Sequence, residues 1–342
     1  MAVSSSPANF HIDTKEEHDK KFYAEGRPEI PELMSDILIN YSGIPKDELI
    51  SHVEGLRNHA YAIYPYPCIG RYRFLTFSLV THPYYHTHVL PHLLSPSSPE
   101  PLFLDLSTCL GQDLRALIHH TVPISRIYGS DLEPPFIRLG YDLFRDEDRF
   151  PDTHQFAPVN LFDSTFDTNL LTHMSRKVSI LHMAAVFHLF GLSDQKFIAR
   201  RVLKLIRLPS SPPPPPSSPT SNPSTTPLLL GSQTAHISGK HYPQRLGGRG
   251  PTLYRHSDVT WKQMWKEVAE EEGVRLRVEV ELDMPRENLR GLRGSIDDCG
   301  GGSSGQGEEG CGNDGGDGDG TPEGDKGFRR MWFAIWVEEV GG

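Results

Sequence analysis

Long apolar runs and cysteines are both scarce in this sequence. No segment approaches the ~20 consecutive apolar residues that cross a bilayer, and the N-terminal stretch lacks the apolar core of a signal peptide. The 342 residues include four cysteines, too few for a disulfide framework in a chain of this length. None of them stands at zinc-ligand spacing with histidine or another cysteine. We therefore expect a soluble, cytoplasmic protein with reduced thiols, no metal site and no membrane partner.

Positive charge is missing from one long stretch. Residues 297–325 contain nine acidic residues and no Lys or Arg. Of the 44 acidic residues in the chain, the 35 outside this stretch nearly balance the 34 basic ones, so the stretch accounts for most of the formal charge of −10. The clustered basic face that nucleic-acid binding requires is also missing. We therefore expect a nearly neutral folded body and no nucleic-acid partner.

Composition divides the chain into three parts with two interruptions. Residues 1–20 are polar and are predicted to be disordered. Residues 21–96 have apolar residues at helical spacing and are predicted to form a helical cap or lid. Residues 97–342 are predicted to form the main domain. A proline-rich stretch at 209–227, expected to be an extended linker, and a glycine-rich stretch at 285–327 interrupt that domain.

The main domain alternates short apolar strands with amphipathic helices, as in a parallel sheet with crossover helices. One helix is predicted at "SDQKFIARRVLKLI", with Ser193 as its N-cap. Near the end, "VRLRVEVEL" and "RRMWFAIWVEE" have strand patterns with no helix between them, so they are free to pair antiparallel. We predict an α/β, Rossmann-like sheet, mostly parallel with an antiparallel terminal strand, and an N-terminal helical cap. This plan is expected of class I methyltransferases and differs from the all-parallel plan of dinucleotide dehydrogenases.

The stretch "FLDLSTCLGQDL", residues 103–114, marks the first strand-to-helix turn. S-adenosylmethionine-dependent methyltransferases typically place an acid at the end of this strand, followed by G-x-G-x-G. On that spacing Asp105 is the acid, Ser107 and Cys109 replace two glycines, and Gly111 is the third. Alone, the stretch is also compatible with an ordinary tight turn. A nicotinamide oxidoreductase is disfavoured because its G-x-G-x-x-G is missing.

Polar residues after the next two strands favour a cofactor site. Asp131 follows Asp105 by 26 positions, close to the ~20-residue offset at which an acid binds a ribose hydroxyl. A helix N-cap is the alternative role for Asp131. Asn160 and Leu161 follow the third strand, where a polar and an apolar side chain would bracket an adenine. Together these residues favour S-adenosylmethionine as the cofactor.

Several motifs give a more specific resemblance. The stretches "YPYPCIGRYRFL", "FLDLSTCLGQDLRAL", "IYGSDLEPPFIRLGYDLFRDEDRF", "FHLF" and "LYRHS" resemble fungal class I methyltransferases of meroterpenoid and polyketide biosynthesis, discontinuously from about residue 22 to residue 336. The resemblance implies an S-adenosylmethionine-dependent enzyme, and several such relatives convert a carboxylate of an aromatic prenylated intermediate to its methyl ester. It also implies cofactor contacts from Leu110, Gln112 and Leu132.

Ser107 departs from this family, whose usual first motif is "FLDLGCCLGQD". A side chain there lowers cofactor affinity if the backbone needs positive φ, and is tolerated as a small residue otherwise. We expect tolerance, because the other key residues of the motif are present: Asp105, Leu110, Gly111, Gln112 and Asp113.

Candidates on the methyl-acceptor side follow from position. His188, in "AVFHLF", lies after the fourth strand, where open α/β sheets bind substrates, and is expected to be a base or orienting donor. A packing role is the alternative. Arg71 is a candidate to bind a carboxylate, as is Arg73, unless both are surface residues. Tyr254 and His256 are expected to form substrate-pocket walls in a loop after the fifth strand.

Other polar and aromatic residues have two open interpretations. His182, inside the fourth strand, is expected to be a cofactor-side or core residue. Three N-terminal tyrosines suit a lid over an apolar substrate, although core packing explains them equally well: Tyr64, Tyr66 and Tyr72.

These observations predict an O-methyltransferase of specialised metabolism that acts on a small, largely apolar metabolite. An ionised carboxylate acceptor needs no base, whereas a phenol, with a pKa of about 10, benefits from one. The alternative is a non-catalytic relative in which Ser107 blocks the cofactor and the apolar pocket only binds. A homodimer is an open alternative to a monomer.

Overall fold

Nine strands and ten helices are assigned in a computed structural model that describes residues 15–209, 226–243, 249–283 and 327–340. The strands are β1 Leu102–Leu106, β2 Ile127–Ser130, β3 Gln155–Phe156, β4 Val178–His182, β5 Leu228–His236, β6 Lys240–Pro243, β7 Thr252–Arg255, β8 Val274–Leu282 and β9 Phe328–Val340. Seven of them form one sheet in the order β3-β2-β1-β4-β5-β9-β8, and β6 pairs with β7 separately.

The first five strands are parallel and the last pair is antiparallel. β1 and β4 are mostly apolar and almost fully buried, because a strand inside a parallel sheet is covered on both faces. β9 lies between β5 and β8 and runs antiparallel to both. β8 alternates as an edge strand does, with Arg275 and Arg277 exposed between partly buried apolar residues. This confirms the predicted mixed sheet with its antiparallel terminal strand.

Helices cover both faces of the sheet. They are α1 Lys15–Phe22, α2 Glu32–Asp36, α3 Leu49–Ile63, α4 Pro67–Gly70, α5 Leu90–Leu94, α6 Gln112–His119, α7 Pro134–Phe144, α8 Thr172–Met174, α9 Leu192–Leu203 and α10 Asp258–Glu272. One face packs against α9 and α10, with Trp261 and Trp265 fully buried. The other face packs against α6, α5 and the segment around Tyr85.

The N-terminal helices share their core with the main domain. Val53 and Leu56 of α3 belong to one hydrophobic cluster with Leu139 of α7. The side chain of His82, which precedes α5, also contacts the sheet. Its Nε2 lies 3.1 Å from the carbonyl oxygen of Phe333 in β9. The N-terminal helices therefore share a hydrophobic cluster with α7 of the main domain, and the domain boundary at residue 96 stays a prediction.

Three local features differ from the sequence predictions. Helix α1 begins at Lys15, inside the stretch predicted to be disordered. Helix α9 begins at Leu192 with Gly191 at the N-cap position, so Ser193 lies inside the first turn and is not the N-cap. The β6–β7 hairpin, which holds Tyr254 in a strand, was predicted to be a loop.

The predicted inserts fall almost entirely outside the described residues. Residues 210–225 and 285–326 of these stretches lie outside the described ranges, as do residues 1–14 of the predicted disordered tail. Within the described ranges, no helix combines the length and apolar character needed to cross a membrane.

Candidate cofactor and active site

The carboxyl ends of the parallel strands bring most predicted cofactor residues to one edge of the sheet. Asp105 lies near the end of β1, Asp131 follows β2, Asn160 lies beyond β3, and His182 ends β4. The chain moves outward from β1 in opposite directions, to β2 and to β4. Ligands of open α/β sheets bind at such a reversal, so this edge is the candidate site.

The turn between β1 and α6 contains three left-handed residues. The φ angle is 74° at Ser107, 53° at Cys109 and 73° at Gly111, which are the three alternate positions of the predicted motif. The backbone N–H groups of Ser107 and Thr108 both donate to the carbonyl of Ser130, at 2.8 and 2.9 Å. The turn therefore has the backbone that glycine favours, although two of the three residues are not glycine.

Ser107 has the left-handed backbone in which a side chain is energetically unfavourable. Left-handed backbone costs a non-glycine residue about 1 kcal/mol, a cost that the family's usual glycine avoids. The side chain of Ser107 is exposed, so its hydroxymethyl group lies on the open side of the turn. Our expectation that the cofactor site tolerates Ser107 stays a prediction. The backbone at Ser107 has the positive φ under which a side chain would lower cofactor affinity.

Asp105 and His182 form the centre of a buried polar network. They are paired in register across β1 and β4, with Asp105 Oδ1 2.8 Å from His182 Nδ1. His182 Nε2 lies 3.3 Å from Ser78 Oγ. The Ser78 hydroxyl donates to Asp113 Oδ2 at 2.7 Å, and the N–H of Leu79 donates to Asp113 Oδ1 at 3.0 Å. The network therefore joins the N-terminal region to β1, β4 and α6.

The charges of this network favour a protonated imidazole. Burial alone would lower the pKa of His182, but the charge and hydrogen bond of Asp105, together with the charge of Asp113, raise it overall. Burial raises the pKa of Asp113, and the charge of His182 opposes that shift. One ligand-type atom from each of these three residues lies within 4.8 Å of the others. These atoms already serve as hydrogen-bond partners within the network.

Asp131 fixes the turn from the end of β2. Its Oδ2 accepts the N–H of Cys109 at 2.8 Å, and its Oδ1 accepts the N–H of Glu133 at 3.0 Å. The second bond reaches Glu133, which is the N-cap residue of α7, so Asp131 is not itself the helix N-cap. Burial raises the pKa of Asp131 to about 6, against the effect of both hydrogen bonds. Each carboxylate oxygen keeps a second lone pair that can accept a ribose hydroxyl.

Four further residues were assigned to the cofactor. The side chain of Leu110 is buried in the cluster shared with the N-terminal helices, and that of Leu161 packs in the cluster on the opposite face. Because these two side chains fill the core, Leu110 and Leu161 can contact a cofactor only through their backbone atoms. Leu132 is 43% exposed beside Asp131. Gln112 begins α6, with its Oε1 buried.

Asn160 caps its own loop. Its Oδ1 accepts the N–H of Phe162 at 3.0 Å, and its own N–H donates to the hydroxyl of Thr165 at 2.9 Å. The side-chain NH₂ group of Asn160 also interacts with the carboxylate of Asp163, and its second hydrogen can donate to an adenine nitrogen.

The predicted acceptor-side residues lie on adjoining segments. His188 is buried in the turn Phe187–Leu189 after β4. The N–H of Tyr254 in β7 donates to the carbonyl of Phe190 at 2.9 Å. Gln195 Nε2 donates to both the Phe190 and the Tyr254 carbonyls, at 2.9 and 2.7 Å. The structure thus places the His188 turn beside β7.

His256 is buried and follows β7 directly. Its ring centroid lies 4.8 Å from that of Tyr254, and its Nδ1 lies 3.1 Å from the Thr260 hydroxyl. Burial lowers the pKa of His256 to about 4, and a backbone hydrogen bond of Thr260 opposes the shift. The imidazole is therefore uncharged at neutral pH. Its Nε2 has no hydrogen-bond partner among the described residues.

The N-terminal candidates divide into two groups. Arg71 donates to the carbonyl of Lys21, so the contact shown for it is with the end of α1. Tyr72 is buried, and the guanidinium of Arg57 lies 4.4 Å from its ring, which is a packing role.

Tyr66 and Tyr64 lie on the side of the candidate site. Their ring centroids are 4.1 Å apart, and that of Tyr66 lies 6.0 Å from Phe136 in α7. Burial raises the pKa of Tyr66, and the charges of Tyr64 and then Asp131 add to the shift. Tyr66 is therefore close enough to the acid after β2 to interact with its charge.

Sequence reasoning missed the contribution of Ser78 and the function of Asp113. Asp113 stood in the recognised motif "GQD", which was the available signal. Ser78 had none, because its contact with Asp113 joins residues 35 positions apart with no fixed spacing rule.

The donor and acceptor types of the site fit S-adenosylmethionine. An ammonium group and ribose hydroxyls are donors, and the site offers the carboxylates of Asp105 and Asp131 together with Gln112 Oε1. In the described part of the chain, Gln112 Oε1, Ser130 Oγ and Thr108 Oγ1 are buried without hydrogen-bond partners. Such atoms are costly unless a ligand or water satisfies them. The residues present are therefore suited to this cofactor.

Comparison with known proteins identifies a family. Residues 22–75 match the family model "Meroterpenoid methyltransferase N-terminal domain". O-methyltransferase phiE of a Fungal sp. strain is 35% identical over 77% of this chain and 80% of its own length. The Asnovolin E/Chermesin D methyltransferase nvfJ of Aspergillus novofumigatus is 33% identical over 73% of this chain and 81% of its own.

Among solved structures, the CurJ carbon methyltransferase aligns over 90% of this chain and 68% of its own chain at 11% identity. Its TM-score of 0.42 is too low to add to the fold assignment made from the strand order.

The two curated relatives match most of both chains at more than 30% identity, and the matched family model covers the N-terminal helices that contact the candidate site. The chain therefore belongs to the family of fungal meroterpenoid methyltransferases, and it is an S-adenosylmethionine-dependent enzyme of specialised metabolism.

Proposed function

We propose that this enzyme methylates an oxygen atom, a carboxylate or a phenol, on a largely apolar meroterpenoid or polyketide intermediate. The observation that carries the proposal is the pair of buried acids at the ends of neighbouring strands, Asp105 and Asp131, joined by a turn with left-handed residues at 107, 109 and 111. The names of two similar proteins, an O-methyltransferase and a methyltransferase of asnovolin E or chermesin D, support a meroterpenoid oxygen as the acceptor.

The cofactor side of the proposal assigns each polar residue a role by its chemistry. Asp105 receives the ammonium group, and Asp131 accepts ribose hydroxyls. Asn160 and the exposed Leu132 contact the adenine, and Gln112 provides a further acceptor. The bound cofactor supplies a methyl group already activated on a sulfonium, so the protein mainly aligns the acceptor and excludes water.

The acceptor side of the proposal uses the adjoining segments after β4 and in β7. His188 lies at the edge where substrates of open sheets bind, and we assign it as a base or an orienting donor. Tyr254 and His256 would line the wall of the pocket. Because burial lowers the pKa of His256 to about 4, it stays neutral and suits an apolar substrate better than a charged one.

Metabolite profiling combined with labelled cofactor tests this function. The host is compared with and without this gene, and the accumulated intermediate is incubated with purified enzyme and trideuteromethyl cofactor. A mass increase of one trideuteromethyl group, and base-labile loss of it for an ester, is the expected result. Turnover by His188→Ala equal to that of the unaltered enzyme would contradict the His188 assignment. A label on carbon would contradict O-methylation.

The second candidate function is non-catalytic binding, and the positive φ of Ser107 is the observation that favours it. Ser107→Gly discriminates the two. Under the catalytic proposal, the unaltered chain binds S-adenosylhomocysteine at micromolar concentration and glycine changes the Kd by less than about tenfold, equivalent to ~1.4 kcal/mol. No binding at millimolar ligand, with binding restored by glycine, would establish the second candidate. Ser175→Gly, at an exposed serine with φ of −53°, is the matched control.

A further inference from the structure

In the buried network around Asp105, both ring nitrogens of His182 face hydrogen-bond acceptors, whereas a neutral histidine provides only one N–H donor. Nδ1 of His182 faces the carboxylate of Asp105 at 2.8 Å, and a carboxylate only accepts. Nε2 of His182 faces Ser78 Oγ at 3.3 Å. The hydroxyl hydrogen of Ser78 is already directed to Asp113 at 2.7 Å, so Ser78 Oγ is left as an acceptor towards His182. Both ring nitrogens therefore act as donors, which is the pattern of an imidazolium.

The surroundings of His182 explain why that charge is stable in the interior. The facing titratable groups are Asp105 on β1, Asp113 on α6 and, on the N-terminal segment, His82. Burial lowers the pKa of His82 to about 4, so it adds no charge at neutral pH. Apolar neighbours include Phe103, whose ring stacks 6.3 Å away, and Leu230, which pairs with His182 in β5. Two carboxylates thus face one cation.

A cofactor ammonium at Asp105 changes this balance. It places a second positive charge on the carboxylate that stabilises the imidazolium, and like charges within a few ångströms in a buried site repel strongly. Loss of the Nε2 proton from His182 relieves the repulsion. Ser78 can then turn its hydroxyl from Asp113 to the bare Nε2 and remain hydrogen-bonded, while Asp113 keeps the N–H donors of Leu79 and Ser78.

We propose that His182 and Ser78 are positioning residues of the cofactor site: they hold Asp105 for the ammonium group, and His182 releases one proton to solvent as the cofactor binds. The proposal rests on the placement of the ammonium at Asp105 under the proposed function. The Ser78 hydroxyl, on the half-buried segment that precedes Leu79, links this event to the N-terminal region.

Isothermal titration with S-adenosylhomocysteine at pH 7.5, in phosphate and in Tris, measures the protons released. Because burial raises the pKa of Asp131 only to about 6, Asp131 is already ionised at this pH and contributes little. We expect the unaltered protein to release a measurable fraction of one proton, up to one. His182→Asn places a neutral donor near the Nδ1 position, so it should bind within about threefold of the unaltered protein and release none. His182→Ala should bind about tenfold more weakly.

The remaining variants distinguish a positioning role of His182 and Ser78 from a purely structural one. Ser78→Ala should reduce the proton release, and Ser78→Thr should retain it because the hydroxyl is kept. His92→Asn changes another buried histidine, in α5, and should release as many protons as the unaltered protein. Asp105→Asn should lose both affinity and proton release.

Two kinds of outcome overturn the proposal, and each refutes a different part of it. Binding of S-adenosylhomocysteine with the same enthalpy in both buffers, or equal proton release by His182→Asn, refutes the role of His182 and leaves the cofactor site intact. Lack of binding at millimolar ligand, or unchanged affinity in Asp105→Asn, refutes the placement of the ammonium as well.

Discussion

At the scale of single residues, the candidate site depends on buried aspartates, and burial disfavours their ionised form. Asp131 is held by two backbone N–H groups, yet burial still raises its pKa to about 6. The carboxylate therefore takes up a proton in mildly acidic solution, where an ordinary aspartate stays ionised. Under the proposed function, the ionised form is the one that accepts ribose hydroxyls.

Cofactor affinity should therefore fall as the pH falls through about 6, by up to about tenfold per pH unit below that pKa. Titration with S-adenosylhomocysteine between pH 5 and 7.5 measures this dependence. Asp131→Asn should bind more weakly at pH 7.5 and lose most of the decline, because the amide does not titrate. Asp152→Asn, at an exposed acid before β3, is the control and should keep the decline. An unchanged pH profile in Asp131→Asn would show that another group is responsible.

At the scale of elements, the turn before α6 is supported by the close approach of α7. A Cβ atom on Gly140 of α7 would lie 2.5 Å from the carbonyl oxygen of Leu110, a distance that requires the helix or the turn to move. Gly55 in α3 has no atom within 4 Å of the equivalent position. The two glycines therefore form a matched pair in which only one contacts the cofactor turn.

Gly140→Ala should destabilise the protein by about 1–3 kcal/mol and weaken cofactor binding, because the steric cost of overpacking exceeds the gain in helix propensity. Gly55→Ala should stabilise it by about 0.5–1 kcal/mol and leave binding unchanged. Urea unfolding and calorimetric titration measure the two effects. Equal stabilisation by both substitutions would mean that α7 does not support the turn.

Elements with a strong periodic pattern were predictable from the sequence, and paired short segments were not. β8 was predicted from the alternation of "VRLRVEVEL". Asp105 and Asp131 were predicted to be site residues because one lies near the end of an apolar strand and the other directly follows one. The β6–β7 hairpin was missed because "KHYP" is mostly exposed and becomes a strand only through pairing with residues 252–255. Ser78 was missed for the same reason, since its role depends on tertiary contact.

At the scale of the whole molecule, several buried histidines are uncharged at neutral pH. Burial is the main cause that lowers the pKa of His82, His92 and His256 to about 4 each. An unfolded histidine has a pKa of about 6.5. Between these values the unfolded chain binds more protons, so acid favours unfolding. Asp131 acts in the opposite direction over part of this range, since its pKa is raised on folding.

The free energy of unfolding should therefore fall from pH 6.5 towards pH 4, by up to about 1.4 kcal/mol per pH unit for each of the three histidines. It should also fall at higher pH as His182, whose pKa is raised on folding, loses its proton. Urea unfolding at pH 4.5, 5.5, 6.5 and 7.5 tests this. His92→Gln should make the decline shallower by about one proton, whereas His86→Gln, at an exposed histidine of the same region, should not. A decline of the same slope in both variants would contradict the assignment to buried histidines.

The position of β9 has a consequence for the order in which the protein matures. β5 and β8 leave the ribosome before β9, and residues 283–327 separate β8 from its partner. Until β9 enters between them, the two strands present unpaired backbone, the feature through which sheets join other chains. The nascent protein should thus depend on chaperones late in synthesis, and a premature stop before Phe328 should yield aggregates rather than a truncated enzyme.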